Sequence, residues 1–250
     1  MKQVLKKIAS IGGGLILLAL LAVTLAFSAR ETEDVECREI AVRYAGNQMI
    51  RIEKNELVRM VKLADPHLIG KKLTEVNIGA IEEKLSKNKT FLKADLYRSI
   101  VRDSTGYKGV VTVKVKHRVP VLRIFSPQGN YYMDKEGNRI PVSFSYAADV
   151  PVATGHISPA LAEKELLPLV EFIQGNRFWK AQIKQIHVNE EGDILITTLV
   201  GGQVIELGDT GNMEEKFRNL RAFYDQVLTP HNWNKYSRIN LKFNNQVIAK

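Results

Sequence analysis

The chain holds a single cysteine, Cys37, in 250 residues. That excludes an intramolecular disulfide and any metal site built from several thiolates. Cys37 is expected as a buried or juxtamembrane thiol. Histidine is also sparse. His67, His117, His156, His187 and His231 never fall within four residues of one another, so the paired helical ligands of a zinc hydrolase are missing and the histidines are expected to serve core or surface. No metal and no cofactor is expected.

Catalytic motifs are equally thin. Ser86 and Lys89 have the Ser-x-x-Lys spacing of penicillin-recognising enzymes, but no Ser-Asp-Asn or Lys-Thr-Gly partner follows. Asp134 with Glu136, and Glu190, Glu191 with Asp193, sit beside glycine in turn-like segments. There the carboxylates are expected to be solvated, without the burial that would tune them for acid-base work. The sequence therefore names no catalytic residue. Asn88-Lys89-Thr90 is a glycosylation sequon, meaningful only in a eukaryotic secretory pathway.

Charge is absent from one long stretch, the twenty residues Ile8 to Phe27. As a helix, that run spans the roughly 30 Å hydrocarbon core of a bilayer. Lys2, Lys6 and Lys7 precede it, and Glu31, Glu33, Asp34 and Glu36 follow. The positive-inside rule then keeps residues 1–7 in the cytoplasm, makes 8–28 the transmembrane helix and exports the rest. A cleaved signal peptide is the rival reading, because Ala26-Phe27-Ser28 offers small-x-small spacing. Its apolar core usually runs only about 7–15 residues, which favours the retained anchor. Ala9/Gly13 and Ser10/Gly14 are small-xxx-small pairs that would allow close approach of a second helix.

Three of the 36 basic residues lie ahead of the run, so +6 of the +9 net charge belongs to the remainder. These charges are scattered, with no aromatic-interleaved basic patch, and no nucleic-acid partner is expected. Anionic lipid or cell-wall polymer is compatible with the excess. About 220 residues outside the membrane suffice for one large or two small domains.

Their pattern is that of an α+β protein. Arg38–Tyr44 reads as a strand with Ile40, Val42 and Tyr44 on one face. Helices follow over Glu53–Lys62, and after Thr74 as N-cap with Ile78, Ile81 and Leu85 at helical spacing, Gly70 lying between them. Phe91–Val101 and Val110–Lys116 form strands around the turn at Asp103-Ser104-Thr105-Gly106, the second strand with a basic outer face. The segment 35–118 is thus β-α-α-β-β.

In 119–250 the strand signals dominate. Hairpins are expected at Asp134–Asn138, at Glu190-Glu191-Gly192 between Ile183–Val188 and Ile194–Val200, and at Gly201-Gly202 before Gln203–Leu207. Together they make a larger, mainly antiparallel β domain. One flanking helix starts at Ser158-Pro159 and runs through Phe172 unless Pro168 interrupts it. A second carries a capping-box-like Asn212/Glu215 pair, then Phe217, Leu220, Tyr224 and Val227, and ends at Thr229-Pro230. The last strand is Tyr236–Phe243, which Gln246–Ala249 would continue.

The order of these features resembles the FtsQ/DivIB family of bacterial cell-division proteins. Val113-Lys114-Val115-Lys116-His117-Arg118-Val119-Pro120-Val121 is similar to the strand that ends that family's POTRA module. Tyr131-Tyr132-Met133-Asp134 with Gly137 is similar to the hairpin that opens its β domain, and Tyr236–Phe243 to its closing strand. His117 and Asn240 stand where the family often carries acids, so no charged contact transfers to either.

The resemblance implies a small POTRA-like module at 35–118, a β-rich domain at 119–250 and a non-enzymatic scaffold. It implies a single-pass inner-membrane protein, cytoplasmic at its N-terminus, periplasmic in bulk and enriched at the division septum. There it would bind FtsB and FtsL-type partners to position septal peptidoglycan synthesis. Lys242, Phe243, Asn245 and Val247 occupy positions similar to the family's partner-binding strand. Phe243 would be the anchor and Lys242 the charged contact, unless Phe243 packs inward with Ile239 and Leu241 as its parity suggests. An anchored POTRA-type accessory of secretion or outer-membrane assembly, or an anchored cell-wall hydrolase, stays open as an alternative.

Overall fold

The computed structural model describes residues 12–24, 35–46, 49–104, 106–143, 146–228, 235–243 and 245–250. Residues 12–24 are helical, a length of about 20 Å at 1.5 Å per residue. No helix among the described residues is long and apolar enough to cross a membrane. The expected tail at 1–7 and both ends of the expected span at 8–28 lie outside the described residues, as does Thr229-Pro230.

The chain divides into two compact units, one of Met1–Ala45 with Glu53–Lys116 and one of Gly46–Ile52 with His117–Lys250. In the first unit the described elements are β1 (Cys37–Ala45), α1 (Lys54–Ala64), a 3₁₀ turn (Leu73–Glu75), α2 (Ile78–Ser86), β2 (Phe91–Asp103) and β3 (Gly106–His117), whose last residue falls in the second unit. The sheet order is β1-β3-β2, with β1 parallel to β3. Val111, Val113 and Val115 are buried, as are Leu57, Val61, Ile81 and Leu85 from the helices. Each such side chain removed from water stabilises by about 1.5–3 kcal/mol.

Cys37 is fully buried, and burial raises its thiol pKa. The cap of α2 is Asn77, whose side chain accepts from Ala80 N at 3.1 Å. Thr74, expected in that role, lies in the 3₁₀ turn. Ser86 donates its hydroxyl to the Glu83 carbonyl at 2.8 Å, so it closes the end of α2.

The second unit is one nine-stranded sheet with helices packed on it. Its strands are β4 (Pro120–Ser126), β5 (Gly129–Asp134), β6 (Arg139–Pro141), β7 (Val152–Gly155), β8 (Ile183–Val188), β9 (Ile194–Thr198), β10 (Val204–Gly208), β11 (Arg238–Asn240) and β12 (Ile248–Ala249). The order is β12-β11-β10-β9-β8-β7-β4-β5-β6. Five of the eight ladders are antiparallel, in keeping with the expected domain, but β4 with β7, β7 with β8, and β10 with β11 run parallel. Helices supply two of the three crossovers that parallel neighbours need, while the chain passes from β4 to β7 through β5 and β6. Between β7 and β8 lie α3 (Pro159–Leu161), a π-helical turn (Ala162–Leu166), α4 (Leu167–Gly175) and α5 (Arg177–Gln182); between β10 and β11 lies α6 (Met213–Gln226).

The π turn resolves the question posed by Pro168. Leu167 N donates to Ala162 O, a five-residue reach, which widens the helix just before a residue that has no N–H to give. Behind the sheet, Trp179, Phe217 and Tyr224 pack edge to face, with ring centroids 5.2 and 5.8 Å from Trp179. Ile186, Ile196, Ile205 and Ile239 are fully buried beneath them.

Asp134 departs from the expectation of a solvated turn carboxylate. Its side chain is 2% exposed and takes a 2.8 Å ion pair from Arg118. It also accepts from Asn138 N at 2.8 Å and Glu136 N at 3.1 Å. The β5–β6 hairpin is therefore wound around a buried charge.

Candidate partner-binding edge

The closing segment differs from the single strand expected over Tyr236–Phe243. Only Arg238–Asn240 is strand, and it is an inner strand, parallel to β10. Glu206 holds it there, accepting from Arg238 Nη1 and Asn240 Nδ2 at 2.8 Å each. An aspartate at position 240 would repel Glu206, whereas the asparagine amide donates to it. Gln246–Ala249 does not continue the strand. The chain reverses, and β12 returns antiparallel with Ile239 opposite Ala249 and Asn240 opposite Ile248.

The reversal has local causes. Asn240 Oδ1 accepts from Lys242 N at 2.9 Å, and Asn245 adopts the left-handed region at φ 57°, which asparagine tolerates better than most residues. Glu215 Oε1 accepts the Asn245 N–H at 3.2 Å. Glu215 thus serves this turn instead of the expected capping box, and Asn212, itself left-handed at φ 52°, makes no side-chain cap.

The four sequence-predicted residues fall into this turn and the approach to β12, in different environments. Lys242 is ion-paired to Asp193 of the β8–β9 hairpin. That hydrogen bond raises the lysine pKa above its ordinary value. The lysine stem lies over Gly208, where a Cβ would stand 3.0 Å from Lys242 Cγ. Phe243 is 55% exposed, while Ile239 and Leu241 are buried at 0% and 1%. The inward packing suggested by parity does not occur, because the chain leaves the strand at Leu241. Asn245 lies at the surface as the pivot of the turn, and Val247 packs partly buried against the core. Leu241, Phe243, Asn245 and Gln246 lie around a gap of only about 10 Å³ shared with Asn212, Glu215, Lys216 and Asn219 of the α6 region.

β12 is the outer strand of the sheet. Arg238 and Lys250 exchange backbone hydrogen bonds, N to O, at 3.1 and 3.0 Å. In an antiparallel ladder the next pair along, Ile239 with Ala249, is then the non-bonded one. The N–H and C=O of Ala249 accordingly point away from β11, toward the open edge.

Residues 119–250 match the family described as FtsQ/DivIB, C-terminal related. The chain belongs to that family. Among curated proteins it is similar to the cell division protein FtsQ of Salinibacter ruber, 28% identical over 161 residues that cover 57% of this chain and 60% of that one. The cell division protein FtsQ of Rhodothermus marinus is 28% identical over 154 residues, covering 57% and 56%. The match thus spans less than two thirds of either relative. Among solved structures, POTRA1-2 of the periplasmic domain of Omp85 from Anabaena aligns with 38% of this chain and 54% of its own at 18% identity, with a TM-score of 0.26.

Within this FtsQ/DivIB-related region, Asp193, Glu206 and Ala249 carried no sequence signal for their part in the edge. Asp193 and Glu206 act through residues distant along the chain. Asn245 did carry one, since an asparagine after a strand marks a left-handed turn.

Proposed function

We propose that this protein is a membrane-tethered, non-catalytic cell-division scaffold that captures FtsB and FtsL-type partners by strand addition at β12. The observation that carries this reading is the open edge at Ala249, on the strand reached through the turn that bears the exposed ring of Phe243. An added strand would take main-chain hydrogen bonds from the edge, and the ring would supply an aromatic anchor at the turn leading into it. Lys242 contributes by holding the turn through Asp193, and Asn245 by reversing the chain. The charge-free run Ile8 to Phe27 supplies the tether, which raises the effective concentration of other tethered partners without new contacts. Family membership and the FtsQ relatives support the cell-division role.

Ala249→Pro tests the edge selectively. It removes the outward N–H and leaves the β11 hydrogen bonds in place, a substitution that edge strands accept. Combined with Phe243→Ala in the full chain, it should abolish co-purification of FtsB and FtsL-type partners from membranes while the melting temperature stays unchanged. Undiminished capture by the folded double variant would rule out strand addition here.

A further inference from the structure

The sheet of the first unit carries a cluster of cations on one face. α1 packs on β1 and α2 on β2, and the buried valines of β3 alternate with exposed Lys114 and Lys116. In the parallel register Arg43 stands beside Lys114, and Ala45 beside Lys116, so the three cations share a face. Arg43 is also exposed. Like charges placed side by side on a sheet repel.

Among the described residues, the acids of these strands are engaged with other lysines. Glu39 is bound to Lys108 at 3.0 Å and Asp95 to Lys93 at 2.7 Å. Arg43, Lys114 and Lys116 make no hydrogen bond or ion pair with a described residue. Among the described residues no acid pairs with these three cations, which leaves them available to an external anion.

We propose that this face rests on the anionic phospholipid headgroups of the bilayer. The inference builds on the tether reading. Thr24 and Cys37 are thirteen residues apart, a reach of at most roughly 45 Å, so a tethered helix keeps the face within range of the leaflet. The cations would draw it down once inside about 10 Å, the screening length at moderate salt. Each cation near an anionic leaflet strengthens association about fivefold.

The test uses the full chain mixed with phosphatidylcholine vesicles, with and without phosphatidylglycerol, and reads lysine acylation by mass spectrometry. Lys114 and Lys116 should react about fivefold or more slowly with phosphatidylglycerol present. High salt should restore their reactivity, and exposed Lys180 of the second unit should not change. Arg43→Glu should weaken the protection. Equal rates in both vesicle types overturn the proposal. Equal protection by inorganic phosphate alone also overturns it, by making the face a general anion site. Retention on pure phosphatidylcholine vesicles through a high-salt wash reports the tether separately, so failure of the tether and failure of the face give different results.

Discussion

The Glu215 carboxylate accepts the backbone N–H of Asn245 at 3.2 Å, joining the first turn of α6 to the reversal that brings β12 back to the sheet. A helix-terminal acid that would ordinarily cap its own helix is thereby committed to a residue thirty positions away.

Asn245 should discriminate sharply among replacements. Glycine accepts φ 57° without cost, so Asn245→Gly should leave the unfolding midpoint of the second unit near that of the parent. Asn245→Val should destabilise by about 1–2 kcal/mol, the penalty of left-handed backbone for an ordinary residue. Urea unfolding followed by tryptophan fluorescence measures both. Equal midpoints for the two variants would contradict this account of the turn.

Asp134 anchors the β5–β6 hairpin from the inside. Asp134→Ala leaves Arg118, itself only 21% exposed, facing an empty site and strips the hairpin N–H groups of their acceptor. The expected loss is about 3–5 kcal/mol. Arg118→Ala should cost less, because Asp134 keeps its backbone donors. The same denaturation experiment ranks the pair, and a larger loss for Arg118→Ala would reverse the assignment.

His117 makes the second unit sensitive to mild acid. Ile52 N donates to His117 Nε2 at 3.3 Å, a bond that only the neutral ring can accept. Burial, reinforced by the charge of Arg51, lowers the imidazole pKa below its ordinary 6.5. The unfolded chain then takes up a proton that the folded chain does not, so stability is complete above 6.5 and falls as the pH drops toward the lowered value. Urea midpoints recorded between about pH 7.5 and 5 should show this slope, and His117→Gln should flatten it. A parallel slope in the variant would move the effect to another group.

Gly155 is required by space as well as by conformation. It sits at φ +98°, and a Cβ there would lie 2.0 Å from Val188 O in the neighbouring strand. Gly155→Ala should cost about 2–5 kcal/mol, combining left-handed strain with overpacking. A fully stable variant would show that β7 and β8 can separate without loss.

Elements with a strong local period were legible in the sequence: the β-α-α-β-β order, the β5–β6 hairpin and the β8-β9-β10 meander all announce themselves by alternation and turn residues. β4 and β7 do not. β4 begins at Pro120, which reads as a break, and β7 is four residues ending in glycine. β7 is a strand because two parallel neighbours hydrogen-bond it, and β4 is held between antiparallel β5 and parallel β7; parallel pairing leaves no mark in a short window. The helix caps went astray for a related reason. Thr74 and Asn77 have equal local claims, while Glu215 is taken by a distant competitor. At the candidate edge the four residues could be named, but the fate of Phe243 depended on where β11 stops. That in turn rests on Asn240, Glu206 and Asp193, three contacts that no periodicity encodes.

The two-residue length of β12 sets how discriminating such an edge can be. A long bare strand would accept any extended peptide and invite self-association. One pair of outward backbone groups would hold almost nothing unaided, so a segment that stays would also have to satisfy the Phe243 ring. Under the proposed strand addition, brevity would then select against wrong strands and leave a bound segment free to exchange.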